Sequence, residues 1–325
     1  MRFAFVMDPL ERILPDKDTT FVFMLESLRR GHEVYYADPG DLFAHHTKAF
    51  ARVRRAEVRR VAPEQRETVR FYQLFEERTE PLEWFDAVFM RKDPPFDLAY
   101  FFATQLLSLV DPRRTLVVND PRGLREANEK LYALNFPSVI PESFVSSDPV
   151  RLKAFLEELG GEMIIKPLAG CGGSGVFHLH RGDRNLNALL ETATDNGRQL
   201  LMAQRYLPAV REGDKRLIML DGEPLGATLR VPREDEHRGN IHVGGTCVQS
   251  DVTARDREIC AALAPRIRAD GLYFVGLDII GGFLTEVNVT SPTGVQEINS
   301  LNGVCLEAQV IDFVERRVAA LPAHG

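Results

Sequence analysis

Val275-Gly276-Leu277-Asp278-Ile279-Ile280-Gly281-Gly282-Phe283-Leu284-Thr285-Glu286-Val287-Asn288-Val289 reads as a β-hairpin, with β-branched and apolar residues on both sides of a glycine pair. Glu286 and Asn288 stand two apart on the second strand and so share a face. Among Val, Ile and Leu neighbours a carboxylate is costly unless it is paired or liganded. Asp278 joins that face only under one geometry. A tight two-residue turn at Gly281-Gly282 sets it opposite Thr285, on the wrong side, whereas a three-residue loop or a bulge sets it opposite Glu286. The second arrangement is expected. Three oxygen-bearing side chains on one face suit a hard cation, and nucleotide sites hold Mg²⁺ by one or two carboxylates plus phosphates. Asp278, Glu286 and Asn288 are thus the expected metal ligands, against the competing reading of a hairpin with a solvated polar face.

Upstream, Gly170-Cys171-Gly172-Gly173-Ser174-Gly175 satisfies the GxGxxG pattern of dinucleotide-binding folds. That motif works only where a helix opens directly after the loop and offers its N-terminal amides to the pyrophosphate. Here Val176-Phe177-His178-Leu179-His180 follows, an alternating strand pattern. The chain also has no Gly-Lys dipeptide, so the P-loop consensus is missing. A glycine loop between two antiparallel strands is a different device, a flap whose backbone amides can cover a polyphosphate. Lys166 ends the strand entering this loop and is placed to meet phosphate oxygens. His178 and His180 alternate on the outgoing strand and could mimic a metal pair, but the strand reads as a solvated face, and His45-His46 reads as loop.

The first third alternates strand and helix patterns: Arg2–Met7, Thr19–Arg30, Glu33–Ala37, Asp86–Arg91, Leu98–Val110 and Thr115–Val118. This rhythm implies βαβ units and a parallel sheet, Rossmann-like in topology only, because no glycine fingerprint follows the first strand. Residues 51–70 are rich in arginine and read as a solvated helix or ribbon face. Further helices are expected over Pro121–Leu134, Pro149–Leu159, Asn185–Asn196, Asp256–Ala269 and Leu306–Leu321, with strands at Met163–Leu168, Val176–His180 and Leu200–Tyr206. The fold class is therefore α/β at the N-terminus and α+β behind it.

At 325 residues, two or three domains are the natural expectation. The formal charge of −7 argues against a general nucleic-acid binder, and no run of eighteen apolar residues is available to span a membrane. The N-terminal apolar run breaks at Asp8, too early for a secretory signal. Cys171, Cys247, Cys260 and Cys305 are scattered without a CxxC pair, as expected of free thiols in a reducing, cytoplasmic compartment.

Together these features resemble the ATP-grasp superfamily, and within it the bacterial glutathione synthetase family. The resemblance runs in order along the chain: Val6-Met7-Asp8-Pro9, Met90-Arg91-Lys92-Asp93-Pro94-Pro95-Phe96-Asp97, Asn128-Glu129-Lys130-Leu131, Met202 to Pro208, Gly213-Asp214-Lys215-Arg216, Arg238-Gly239-Asn240 and Val275 to Thr293. It implies three units: a Rossmann-like pre-ATP-grasp domain (1–122), a small ATP-grasp subdomain with the flap (123–205), and a C-terminal subdomain with the metal hairpin and a lid at 233–245 (206–325). It also implies ATP-dependent ligation of γ-glutamylcysteine to glycine through an acyl phosphate, with two Mg²⁺ ions that Mn²⁺ can replace. Lys130 and Lys166 then hold ATP phosphates beneath Gly170, Gly172, Gly173, Ser174 and Gly175. Gln204, Tyr206 and Leu207 border the adenine, and Asp214 meets the ribose. Arg216, Arg230 and Arg238 are the anion clamps, since guanidinium groups stay charged and match carboxylate and phosphate bidentately. Arg91, Asn240, Ser291 and Thr293 are assigned to the peptide or glycine. A homodimer or homotetramer is implied as well. The chain departs from the family pattern at Gln296, where an arginine is expected. Competing readings are a ligase for another acid and amine, and a catalytically silent ATP-binding regulator on the same fold.

Overall fold

In the computed structural model the described residues are 1–65, 68–170, 172–233 and 245–322. The chain forms β1 (Arg2–Met7), α1 (Thr19–Arg29), β2 (Glu33–Ala37), β3 (Leu42–His45), β4 (Lys48–Val58), β5 (Tyr72–Pro81), β6 (Ala87–Arg91), α2 (Leu98–Leu107), β7 (Leu116–Val118) and α3 (Pro121–Glu126). These strands make one seven-stranded sheet in which β2-β1-β6-β7 run parallel, as the alternating pattern predicts. The arginine-rich stretch is a ribbon: β4 pairs antiparallel with β5 along almost its whole length. Its outward arginines meet acidic partners, such as Arg54 with Glu77 and Arg52 with Asp41.

A second sheet of four strands, in the order β10-β9-β11-β8, comes from β8 (Ser143–Ser146), α4 (Pro149–Glu158), β9 (Glu162–Pro167), β10 (Phe177–His180), α5 (Leu186–Ala193) and β11 (Leu201–Arg205). The third, β14-β13-β12-β15-β16, comes from β12 (Asp214–Leu220), β13 (Glu223–Val231), β14 (Thr246–Ser250), α6 (Ala254–Ala269), β15 (Phe274–Ile280) and β16 (Phe283–Asn288). Two helices close the chain, α7 (Val295–Asn302) and α8 (Leu306–Ala319). Among the described residues no helix is long and apolar enough to cross a membrane. Cys247, Cys260 and Cys305 are free thiols, and Cys171 lies outside the described residues.

Alternation along β1 shows how the first and third sheets are joined. Phe3 and Phe5 enter a core with α1, α7 and α8, while Ala4 and Val6 enter one with α2, α6 and the β15-β16 hairpin. The buried Asn119 side chain donates to the carbonyls of Phe274 and Val289 and accepts from the Phe274 amide, so it pins both strands of the hairpin to the first sheet. The second sheet instead packs against α4 and α5 in a core of its own.

One expectation is corrected, and one helix is missed. The helix over Pro121–Leu134 stops at Glu126 and resumes as a 3₁₀ turn over Leu131–Asn135. Asn128, Glu129 and Lys130 fall in the break, where their side chains are released toward the site. Helix α7 is unannounced in the sequence. It follows Gly294, with φ of +120°, and lacks a side-chain cap, so the strongest start signal is missing.

Candidate active site

The β15-β16 hairpin resolves the question of register. Its turn is the two-residue Gly281-Gly282 type, both glycines at positive φ, and the register shifts by one residue beyond it. That bulge at Thr285 sets Asp278 opposite Glu286 and Gly276 opposite Asn288, which puts all three oxygen-bearing side chains on one face. The extra residue is itself used. Its hydroxyl donates to the Asp278 carbonyl, and its own carbonyl accepts from Lys166 Nζ at 3.4 Å.

On the neighbouring strands Arg216 lies opposite Asp278, and Asp214 lies opposite Arg230. Arg216 grips Asp278 with Nε at 2.7 Å and Nη2 at 3.1 Å, and its Nη1 donates to the Thr293 carbonyl. Arg230 Nη2 stands 2.9 Å from Asp278 and also binds Asp214. Burial alone would raise the Asp278 carboxyl, but the two guanidinium groups hold it well below the usual range. Asp214 moves the other way: burial and the neighbouring Asp278 charge outweigh Arg230. Two buried atoms of this group, Asp214 Oδ1 and Arg230 Nε, have no hydrogen-bond partner among the described residues. A buried acceptor and donor left so are costly unless a ligand satisfies them.

The flap and its lysines face this network from the second sheet. Gly172, Gly173 and Gly175 all adopt positive φ, and a Cβ on Gly175 would sit 2.7 Å from Pro167 Cγ, so the flap needs glycine there. Lys130 Nζ donates to the Gly170 carbonyl and stands 3.3 Å from Glu286. Lys166 is pushed down by burial and by Lys130, against the pull of Glu286.

The Asn128-Glu129-Lys130 break ties the parts together. Asn128 donates to the Leu168 carbonyl at the mouth of the flap. Glu129 accepts from the amides of Val289 and Thr290 and the Thr290 hydroxyl, which fixes the turn after the hairpin. Burial first, and then the Glu286 charge, push the Glu129 carboxyl up.

Two cavities meet at this point. One is lined by the flap, Lys130, Lys166, Ile164, Val176, Leu207 and Ile280, with Gln204, Tyr206 and Asp214 along its wall. It has an apolar end suited to a flat aromatic base and a charged end at Glu286. Gln204 is buried and donates to the Ser143 hydroxyl, so its side chain is committed to holding β8 and β11 together. The second, a cleft of about 790 Å³, runs between Asp8, Arg12 and Lys17, which follow β1, and Arg216, Asn288, Ser291 and Thr293 around β12 and the end of β16. Gly172, Asp278 and Glu286 line both.

Comparison with known proteins identifies this arrangement. Residues 1–125 match the model of the prokaryotic glutathione synthetase N-terminal domain, and residues 129–303 match that of its ATP-grasp domain. The chain belongs to the prokaryotic glutathione synthetase family. Glutathione synthetase from Gloeobacter violaceus is 49% identical over 97% of this chain and 96% of its own length, and that from Synechococcus elongatus is 48% identical over 98% and 99%. Among solved structures a D-cycloserine synthetase has a TM-score of 0.65 at 17% identity, over 98% of this chain and 100% of its own. An ATP-grasp ligase bound to Mg and ADP has a TM-score of 0.62 at 15% identity, over 98% of each chain. These likenesses establish the ATP-grasp fold. Members of this glutathione synthetase family use ATP and a divalent metal.

The structure brings most of the expected residues to the two cavities, but not all. Gly175 lies at the flap exit and lines neither, and Arg91 is buried behind the cleft, where it donates to Thr20 Oγ1 and to the Pro292 carbonyl. Arg238, Asn240 and most of the 233–245 stretch lie outside the described residues. Gln296 turns away from the cleft and donates to the carbonyls of Pro15 and Asp18, stapling α7 to the loop before α1. Glu129, Asp8, Arg12, Lys17, Asp18 and Asp93 went unassigned in the sequence reading. Asp8, Asp93 and Glu129 sit within segments that resemble the family, whereas Arg12, Lys17 and Asp18 carry no such signal.

Proposed function

We propose that the chain joins the free carboxylate of the cysteinyl end of γ-glutamylcysteine to the amine of glycine, with cleavage of ATP to ADP and phosphate. The observation that carries this reading is the shared wall of the two cavities. A nucleotide lying with its base between Ile164 and Leu207 directs its terminal phosphate to Glu286 and Asp278, where the cleft brings the acceptor. In this reading 1–122 supplies the acceptor side, 123–205 carries the flap, and 206–325 holds the metal hairpin.

The residues divide the work. Lys130 and Lys166 hold phosphate oxygens while the flap amides cover them. Leu207 and Tyr206 border the adenine, and Asp214 offers its unsatisfied oxygen to a ribose hydroxyl. Lys130, Lys166, Arg216 and Arg230 are already matched by Glu129, Asp214, Asp278 and Glu286. A polyphosphate therefore brings charge that the side chains alone do not neutralise, and the oxygen set of Asp278, Glu286 and Asn288 fits two Mg²⁺ ions, or Mn²⁺ in their place. Such cations, when bound, neutralise the phosphate oxygens in transfer. Transfer to the carboxylate gives an acyl phosphate; the amine of glycine attacks its carbonyl carbon and phosphate leaves. Arg216 and Arg230, preorganised by Asp278, stabilise the charge that develops on the phosphate and on the tetrahedral oxygen. Arg238 joins them from the 233–245 lid, which keeps water from the acyl phosphate. Ser291, Thr293, Asn240 and Arg91 serve the peptide and glycine side. The scattered free thiols suit the cytoplasm, and a homodimer or homotetramer follows from the family resemblance.

Phosphate release with each substrate omitted in turn tests the reaction. Release that requires both γ-glutamylcysteine and glycine, with one product per phosphate, is expected. Release indifferent to glycine would point to another amine as the nucleophile, and ATP binding without turnover would leave a regulator.

A further inference from the structure

The back of the flap hairpin carries a second group of ligand-type side chains, distinct from the oxygen set of β15-β16. Strand β10 leaves the flap at the edge of its sheet and pairs with β9 in the register His180 opposite Glu162. His178 and His180 are two apart and share a face, and Glu162 reaches the same face from across the ladder. One imidazole nitrogen from each histidine and a Glu162 carboxylate oxygen all lie within 4.8 Å of one another. The sequence shows the histidine pair alone; the third ligand comes from strand pairing.

Two further features favour a site over a solvated face. The side chains of Glu162 and His180 make no hydrogen bond or ion pair among the described residues, and both are exposed, so small rotamer changes can close the group to bonding distance. The His178 ring is already oriented, stacked on Tyr206 with centroids 3.9 Å apart and planes 17° from parallel. We propose that Glu162, His178 and His180 bind a divalent transition cation of the Zn²⁺ class, with water completing its coordination. Two imidazoles and one carboxylate suit such borderline cations, whereas the all-oxygen set of Asp278, Glu286 and Asn288 suits hard ones. His178 touches Tyr206 at the wall of the first cavity, but none of the three ligands is used in the ligation, and the site does not depend on how that reaction is assigned.

Co²⁺ titrated into the metal-free full chain, with Mg²⁺ and ADP saturating the hard-cation site, tests this directly. One equivalent should bind with the visible absorption of nitrogen- and oxygen-ligated Co²⁺, and Zn²⁺ should displace it. Glu162→Gln and His180→Gln should each weaken binding by at least roughly tenfold while keeping wild-type Mg²⁺-dependent activity. Asp278→Asn should bind Co²⁺ as wild type does. Absence of the visible band, binding unchanged in both hairpin variants, or a thiolate charge-transfer band from cysteine ligation would each overturn the site.

Discussion

At the scale of single residues, the site rests on paired charges whose partners are fixed by strand register. Glu286 touches Lys130 at 3.3 Å and is only partly buried, so Glu286→Gln should leave the fold intact. It removes a carboxylate from the proposed metal face, and kcat should fall about 100-fold or more, with the thermal midpoint close to wild type. A melt lowered as far as the activity would assign Glu286 a structural role. Arg216 differs because it holds both Asp278 oxygens and the Thr293 carbonyl at once. A lysine keeps the charge but not the fork. Arg216→Lys should therefore lower kcat by about tenfold or more, and steady-state assays with ATP varied at saturating co-substrates should find KM for the nucleotide near wild type.

At the scale of elements, the flap and the hairpin each depend on a local backbone device. Gly175 has φ of +70° and no room for a Cβ against Pro167. Gly175→Ala strains the closed flap by about 1–2 kcal/mol, so ATP affinity measured by calorimetry should fall roughly tenfold. Unchanged affinity would mean that the flap does not cover the nucleotide. The same elements show what a sequence can and cannot reveal. Strands β1, β2, β6, β9 and β11 and helices α1, α2, α4, α6 and α8 announce themselves by periodicity and by glycine or proline at their ends. The bulge at Thr285 was one of two open ways of bringing Asp278 to Glu286, and only backbone geometry separates them. The break at Asn128–Lys130 was hidden, because Leu131 and Ala133 continue a helical pattern. What stops the helix is tertiary: Asn128 and Lys130 bond to the flap entry at Leu168 and Gly170, and Glu129 bonds to the turn after the hairpin. Helix α7 lacks a side-chain N-cap, so its start goes unmarked although Gly303 closes it in the left-handed region.

At the scale of the whole molecule, the chain's end is clasped to its beginning. Glu26 on α1 binds Arg29 and Arg30, and Arg30 reaches Asp312 and Glu315 on α8. The hydrogen bond from Arg29, with help from Arg30, lowers the Glu26 carboxyl from its ordinary 4.5 to about 2. A depressed carboxylate contributes stability above its unfolded value and loses it as pH falls through the folded one. Urea midpoints should therefore drop between pH 4.5 and 2 in the wild type, and Glu26→Gln should be less stable near neutrality with a shallower acid slope. Parallel pH profiles would remove Glu26 from the clasp. The clasp matters to function because the proposed acceptor cleft is shared between the first and third sheets, whose cores are continuous. That shared architecture makes one claim central: ATP activates the acceptor carboxylate before the amine attacks. The direct test is γ-glutamylcysteine labelled with ¹⁸O in its cysteinyl carboxylate, with the released phosphate analysed by mass. One labelled oxygen carried into each phosphate is the result this account predicts. Phosphate with no label from the carboxylate would contradict it.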